Sequence, residues 1–444
     1  MKRTRLILRH WLLICFALLC VSTPTGLPSA LGAGVEFTSS PNPVGSGARA
    51  IGMGGAFIAV ADDATAASWN PGGLVQLERP ELSVVGEGFY RLENNNFADF
   101  PGASGEQSSS KASLNYLSVA YPFALWNRNM IVALNYQHLY DFSRNWNLTL
   151  ASPDLQTNVS FNADGGLYAY GIAYCVEIIP RLSFGFTLNI WENGIYDNGW
   201  QATARQQSAV RILENEWWTV QSVSRDRWSF SGFNANLGLL WHVTEQLTLG
   251  AVFKTPFTGD LKNHHSSVSG LITPDRPEGR VIERENSTQY EELAMPMSYG
   301  LGLAYRVFDE LTLSVDVYRT EWGSFVRTDA EGREYSAVTN LPLDQSQVGA
   351  TTQVRVGAEY LFIKPKYLVP VRAGLFYDPA PAQGSPDNYF GFSLGSGIGF
   401  GRYVFDVAYQ YRFGRDVGSA LLKDFTFSQN VSEHSFYTSL IIHF

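Results

Sequence analysis

Beyond residue 81 the chain alternates apolar and polar positions. Residues 182–190 put Leu182, Phe184, Phe186, Leu188 and Ile190 on one face and Ser183, Gly185, Thr187 and Asn189 on the other. The same period runs through 311–318 and 390–400. A period of two marks strands with unlike faces. It predicts fourteen strands: 81–92, 112–122, 129–142, 165–178, 181–195, 228–243, 246–259, 296–307, 310–322, 350–363, 367–378, 389–400, 402–414 and 434–444. Most exceed the roughly five to six residues of a globular strand and approach the roughly 9–11 of a transmembrane one.

The connections alternate as well. Short turns follow the even strands, and long segments follow the odd ones: 93–111, 143–164, 196–227, 260–295, 323–349, 379–388 and 415–433. Transmembrane barrels have short periplasmic turns and long extracellular loops, whereas a soluble sandwich or propeller has no reason to alternate. Tyr168, Phe253, Tyr305, Tyr403 and Tyr411 stand near the ends of apolar faces, as interfacial girdles do. Phe444 follows Leu440 and Ile442 in register and resembles the terminal aromatic signal of bacterial outer-membrane barrels. The expected fold is all-β: a 14-stranded antiparallel transmembrane barrel with both ends of the strand set on the periplasmic side.

Composition narrows the reading. Charged residues make up 16% and aromatics 14%, against the roughly 25% charge of a soluble domain. A net charge of −9 without a basic block excludes nucleic acid as a partner. The long apolar run, Trp11 to Val21, is too short for a membrane helix. Lys2, Arg3, Arg5 and Arg9 precede it and small residues follow, which predicts a signal peptide over 1–33. Cys15 and Cys20 leave with it, so Cys175 has no partner for an internal disulfide.

Residues 34–80 break the strand pattern. They are small-residue sequence with little charge, expected to form a plug inside the barrel of residues 81–444. Their Gly47-Ala48-Arg49-Ala50, Gly52-Met53-Gly54-Gly55-Ala56, Ala61-Asp62-Asp63-Ala64 and Asn70-Pro71-Gly72-Gly73-Leu74 runs resemble the N-terminal hatch of the outer-membrane long-chain fatty acid and aromatic hydrocarbon transporters (FadL/TodX type). Thr320–Phe325, Arg372–Pro381 and Asp406–Tyr411 are also similar to that family. The resemblance implies a hatch containing Arg49, Asp62, Asp63, Asn70, Pro71 and Gly72. It implies ligand capture at a groove between the third and fourth outer loops, and lateral release at a kinked third strand. The chain departs from the family pattern at Gly72, where Ala is usual, and in strand 129–142, which has no Gly or Pro to mark a kink.

Face mapping puts Lys254, Asp316, Arg355, Glu359, Arg372, Asp406 and Arg412 in the lumen. Two readings follow. One is a salt-bridge network around the hatch. The other has Lys254, Arg355 or Arg372 holding a ligand carboxylate, for which the Arg fork is suited. Trp200, Trp217 and Trp218 in one long loop, and Leu271, Ile272 and Val281 in the next, are the candidate outer ligand contacts. Adjacent His264 and His265 lack the spacing of metal ligands. No cofactor, metal or catalytic group is expected, and the chain reads as no enzyme. The expected function is passive outer-membrane transport of a hydrophobic ligand, fatty acid or aromatic hydrocarbon, by a protein in contact with membrane lipid and read as a monomer. The alternative is a barrel that serves secretion by docking a partner protein.

Overall fold

The computed structural model describes residues 45–213, 216–419, 421–422 and 426–444. The expected signal peptide and the first part of the plug lie outside the described residues. Two short helices, α1 (Ala48–Gly52) and α2 (Ala66–Trp69), and a 3-10 turn at Pro71–Gln76 precede one continuous sheet. Its strands are β1 (Glu81–Phe97), β2 (Gly105–Leu125), β3 (Arg128–Asp141), β4 (Arg144–Ser152), β5 (Leu155–Ile179), β6 (Leu182–Trp191) and β7 (Gly199–Leu213). There follow β8 (Glu216–His242), β9 (Leu247–Lys254), β10 (Phe257–Thr273), β11 (Arg276–Met295), β12 (Ser298–Phe308), β13 (Leu311–Thr320), β14 (Val326–Thr328) and β15 (Glu334–Ser336). The last are β16 (Thr351–Ile363), β17 (Leu368–Tyr377), β18 (Tyr389–Phe400), β19 (Tyr403–Val417) and β20 (Phe427–His443).

Fourteen of these close an antiparallel barrel. The circuit runs β1, β2, β3, inner β5, β6, inner β8, β9, β12, β13, β16, β17, β18, β19 and β20. β20 returns to β1 from the pair Glu81–His443 to the pair Phe97–Phe427, so no edge is left in the membrane. Every predicted strand has its counterpart. The β2–β3 turn is two residues, Trp126 and Asn127, both with positive φ, the geometry that matches strand twist. One expected strand, 246–259, is instead cut at Thr255-Pro256 into β9 and β10, because proline cannot donate to the ladder.

Three long segments expected as loops are strands. β4, outer β5, β7, outer β8, β10 and β11 continue the wall above the barrel. The outward apolar face that marked the membrane strands ends there: on β7 the outward row is Gln201, Thr203 and Arg205, while the inward Trp200, Ala202 and Ala204 are buried. With water outside and a packed lumen inside, the apolar side turns inward: on β8 the apolar row runs from Trp241 to Phe233 on the outer face and changes to Phe230 and Trp228 on the inner one.

The outward barrel face is apolar, with Phe233, Leu239, Trp241, Leu301, Leu375 and Phe436 exposed. Residues 45–77 fill the inward side. A belt of inward glycines lets them sit close: Gly185 faces Gly238, Gly250 faces Gly302 and Gly357 faces Gly374 across neighbouring strands. A Cβ on Gly374 would collide with the Met53–Gly54 backbone. The small lumen face therefore seats a polypeptide.

Candidate functional site

Backbone polar groups of the plug are satisfied by inward side chains from around the barrel. The Asp316 carboxylate accepts from the Phe57 and Ile58 amides (2.6 and 2.9 Å). Ser393 and Ser439 accept from the Gly54 and Ala48 amides (both 2.7 Å). The Tyr116, Thr187 and Ser183 hydroxyls donate to the Ala64, Ala67 and Gly72 carbonyls (2.8, 2.8 and 2.6 Å). These bonds reach the plug from β13, β18, β20, β2 and β6, which fixes its position on nearly all sides.

The expected hatch residues act in two groups. Asn70 caps the Pro71–Gln76 turn by accepting from the Gly72 amide (3.0 Å), and its amide group donates to the Ile58 and Leu239 carbonyls (2.8 and 2.9 Å). Gly72 is explained at the same place: a methyl there would stand 2.9 Å from the Gly238 carbonyl. Arg49 pairs with Asp62 and, at 2.8 Å, with Glu359. Asp63 accepts from the Thr65 amide (2.8 Å), the short-range turn expected of an Asp. Burial pushes the Asp63 carboxyl above its ordinary range, against the pull of Arg49.

Arg372 and Glu359 pair across β16 and β17 at 2.5 Å, and Arg372 also holds Asp406 at 2.6 Å. Arg355 donates to the Gly54 carbonyl (2.8 Å) and stands 3.5 Å from Asp378. From Asp378 an ion-pair chain continues through Arg412 (3.0 Å), Glu433 (2.9 Å), Arg91 (2.5 Å) and Glu93 (2.7 Å). Both arginines are thus occupied by carboxylates or by the plug. Lys254 is placed apart from Arg372, with its ammonium 5.7 Å from the Tyr318 ring centre. It shares with Arg355 and Asp316 only a space of about 10 Å³.

Above the plug, the outer half of the lumen is packed with aromatic and aliphatic side chains, among them Phe142, Trp146, Trp191, Trp200, Trp228 and Phe427. Phe142, Trp200 and Trp228 stack in series, at 4.3 and 5.1 Å between centroids and 15° between planes. Trp200 therefore belongs to an inner apolar layer. Trp217 and Trp218, both expected as outer ligand contacts, are separated by the pleat. Trp218 shares the inward face with Val220 and Leu271, while Trp217 shares the outward face with Thr219 and Ile272. The third and fourth outer hairpins do lie side by side, through the pairing of β8 with β10. The two histidines are parted in the same way: His264 meets Thr288 (2.9 Å) and His265 meets Asp226 (2.7 Å).

β3 carries an extra residue, Leu139, between His138 and Tyr140 in its pairing with β5. The bulge kinks the strand without Gly or Pro. On its other side β3 pairs with β2 only from Tyr116–Gln137 to Leu125–Arg128, although β2 continues outward to Gly105. Over that stretch side chains replace the ladder. Ser113 meets His138 (3.2 Å), Lys111 meets Asp141 (2.7 Å), and farther out Gln107 bonds the Asn147 backbone (3.0 and 2.9 Å). Behind this seam lies a cavity of about 100 Å³ lined by Ser46, Ile51, Lys111, His138, Asp141 and Glu433 among others. A surplus residue in one strand leaves no signature in a single sequence, so nothing in the alternation could have placed it.

The family model for outer membrane protein transport proteins (OMPP1/FadL/TodX) matches residues 28–424. Among solved structures, the chain is similar to a Pseudomonas aeruginosa FadL homologue at 14% identity and a TM-score of 0.60, over 90% of this chain and 98% of that one. It is similar to the P. putida toluene transporter TodX at 14% identity and a TM-score of 0.61, over 91% and 99%. The CymD monoaromatic hydrocarbon channel matches at 14% identity and 0.53, over 91% and 98%. No curated protein matches the chain significantly. At such identities the structures establish the barrel, and the family model establishes descent: the chain belongs to the OMPP1/FadL/TodX family of outer membrane transport proteins.

Proposed function

We propose that the protein passes neutral hydrophobic molecules, aromatic hydrocarbons foremost, from the outer surface into the bilayer through the seam between β2 and β3. The carrying observation is the wall itself: the Leu139 bulge and the interrupted β2–β3 ladder stand directly in front of a lumen cavity. A molecule caught between the third and fourth outer hairpins, on the face of Trp218 and Leu271, descends through the layer of Trp200, Trp228 and Phe142. Apolar transfer supplies its affinity at about 0.8 kcal/mol per CH₂, with no energy source needed. It leaves sideways when the Lys111–Asp141 and Ser113–His138 contacts part. Arg49, Asp62, Asp63, Asn70, Pro71 and Gly72 hold the plug as the floor of this path.

The cargo is argued from charge. Arg355 and Arg372 are engaged, and Lys254 faces a space of about 10 Å³, so these three cations offer little to a carboxylate. Stacked rings suit a flat, neutral ligand. Lys254 becomes a ligand contact only after the plug shifts. The names of the TodX and CymD structures, a toluene transporter and a monoaromatic hydrocarbon channel, agree with this choice. The family does not favour the alternative of a partner-docking barrel in secretion.

The test is uptake of labelled toluene and labelled oleate by cells with and without the protein. Toluene uptake is expected to rise, and to fall several-fold when Trp200 and Trp228 become Ala, while Trp217→Ala leaves it unchanged. Oleate uptake without toluene uptake contradicts the cargo assignment.

A further inference from the structure

The wall above the membrane sorts its charges by face. On β7, outer β8, β10 and β11, cross-strand pairing puts Arg205, Arg225, Arg227, Lys262, His264 and Arg284 on the outward side. Outward rows 201–211, 217–229, 262–268 and 284–290 of these strands contain no Asp or Glu. The carboxylates of the same stretches, Asp226, Glu283 and Glu285, all take inward positions.

The basic positions are contiguous. Arg225 lies opposite Thr203, next to Arg205 in the outward row of β7, and Arg227 lies opposite His264. Lys262 lies opposite Ser229, one outward step from Arg227. Directly opposite residues are about 5 Å apart and diagonal ones about 7–8 Å, so the row is one cationic surface. Like charges at that spacing repel, and the protein answers little of it. Arg227 reaches Asp197 at 3.0 Å, and the Lys262 ammonium stands 5.4 Å from the Tyr290 ring centre. Arg205 and Arg225 have no ion-pair partner among the described residues. Asp260 and Glu292 face each other one row closer to the membrane.

Height identifies what the surface meets. On β8 the lipid-facing residues run from Trp241 to Phe233, both about half exposed, and then change to Ser231 and Ser229. Arg227 is three outward steps above Phe233. At about 3.3 Å per residue and a tilt near 40°, the patch stands roughly 10–20 Å above the apolar band. In an outer membrane that level is occupied by saccharide heads carrying phosphate.

We propose that this face binds the phosphorylated saccharide head of an outer-leaflet glycolipid, with Arg205, Arg225, Arg227 and Lys262 holding its phosphates. Arginine forks suit phosphate, and the neighbouring Thr203, Ser229, Ser266 and Thr288 supply hydroxyls for the sugars. The bound layer secures the outer hairpins that carry the capture groove on their other face.

The experiment measures binding of the full-length, detergent-solubilised protein to immobilised lipopolysaccharide, intact or chemically dephosphorylated. Intact lipid is expected to bind saturably and to release with rising salt. The triple change Arg205→Ala, Arg225→Ala and Lys262→Ala is expected to weaken binding on the order of a hundredfold, at roughly tenfold or less per cation. Arg333→Ala, on a different outer segment, is expected to change nothing. Wild-type protein alone gives a second readout, since dephosphorylated lipid must bind much more weakly than intact lipid. Equal binding of the two lipids, or of the triple variant and wild type, overturns the proposal.

Discussion

At the scale of single residues, the lumen is governed by two opposite requirements. Where the plug touches the wall, side chains must vanish; where plug and wall exchange charge, they must be fully paired. Gly374 represents the first. Gly374→Val places atoms inside the Met53–Gly54 backbone, and overpacking of this kind costs about 1–3 kcal/mol. Hydrogen exchange is expected to show faster exchange in residues 48–60 of that variant, with the barrel ladder still protected. Glu359 represents the second. It binds both Arg49 and Arg372, and removing one member of a buried pair costs about 3–5 kcal/mol. Glu359→Ala is expected to lower the thermal midpoint clearly more than Glu331→Ala, a change at an exposed partner of Arg333. Lumen charges were legible from face mapping, and so was a salt-bridge network around the hatch as one of two readings. Their partners were not, because Asp378 and Gly54 come together only when the barrel closes around the plug.

At the scale of elements, the bilayer decides which face of a strand is apolar, and that face changes at the membrane boundary. Lipid outside and a packed plug inside impose a strict contrast on residues such as 182–190. Above the membrane the apolar side turns inward and the outer side becomes polar, so β4, β7, β10 and β11 lack the lipid-facing row that marks a membrane strand and read as loops. The pleat also divides neighbours that sequence places together. Trp217 and Trp218 are adjacent in the chain yet face opposite sides of the wall, which is why uptake is expected to depend on the inward aromatic layer and not on Trp217. β3 shows the other limit: Leu139 is an ordinary apolar residue whose role is visible only against the register of β5.

At the scale of the whole molecule, the lumen is a stack of distinct layers. Apolar aromatics occupy the outer half, an ion-pair chain and a polar cavity lie below and to one side, and the plug is seated on the glycine belt. A straight route to the periplasm crosses a plug bonded to at least five strands. The sideways route crosses side-chain contacts such as Lys111–Asp141 and Ser113–His138, which stand in place of a paired ladder. The central claim is that cargo leaves through that seam. Deleting Leu139 tests it most directly, because the deletion removes the bulge while His138 and Tyr140 keep their partners Tyr168 and Leu167 on β5. In cells producing the deletion variant, with barrel folding verified by its heat-sensitive electrophoretic mobility, labelled toluene uptake is expected to fall to the level of cells lacking the protein. Uptake at the wild-type rate by a correctly folded variant contradicts lateral exit and returns the path to the plug.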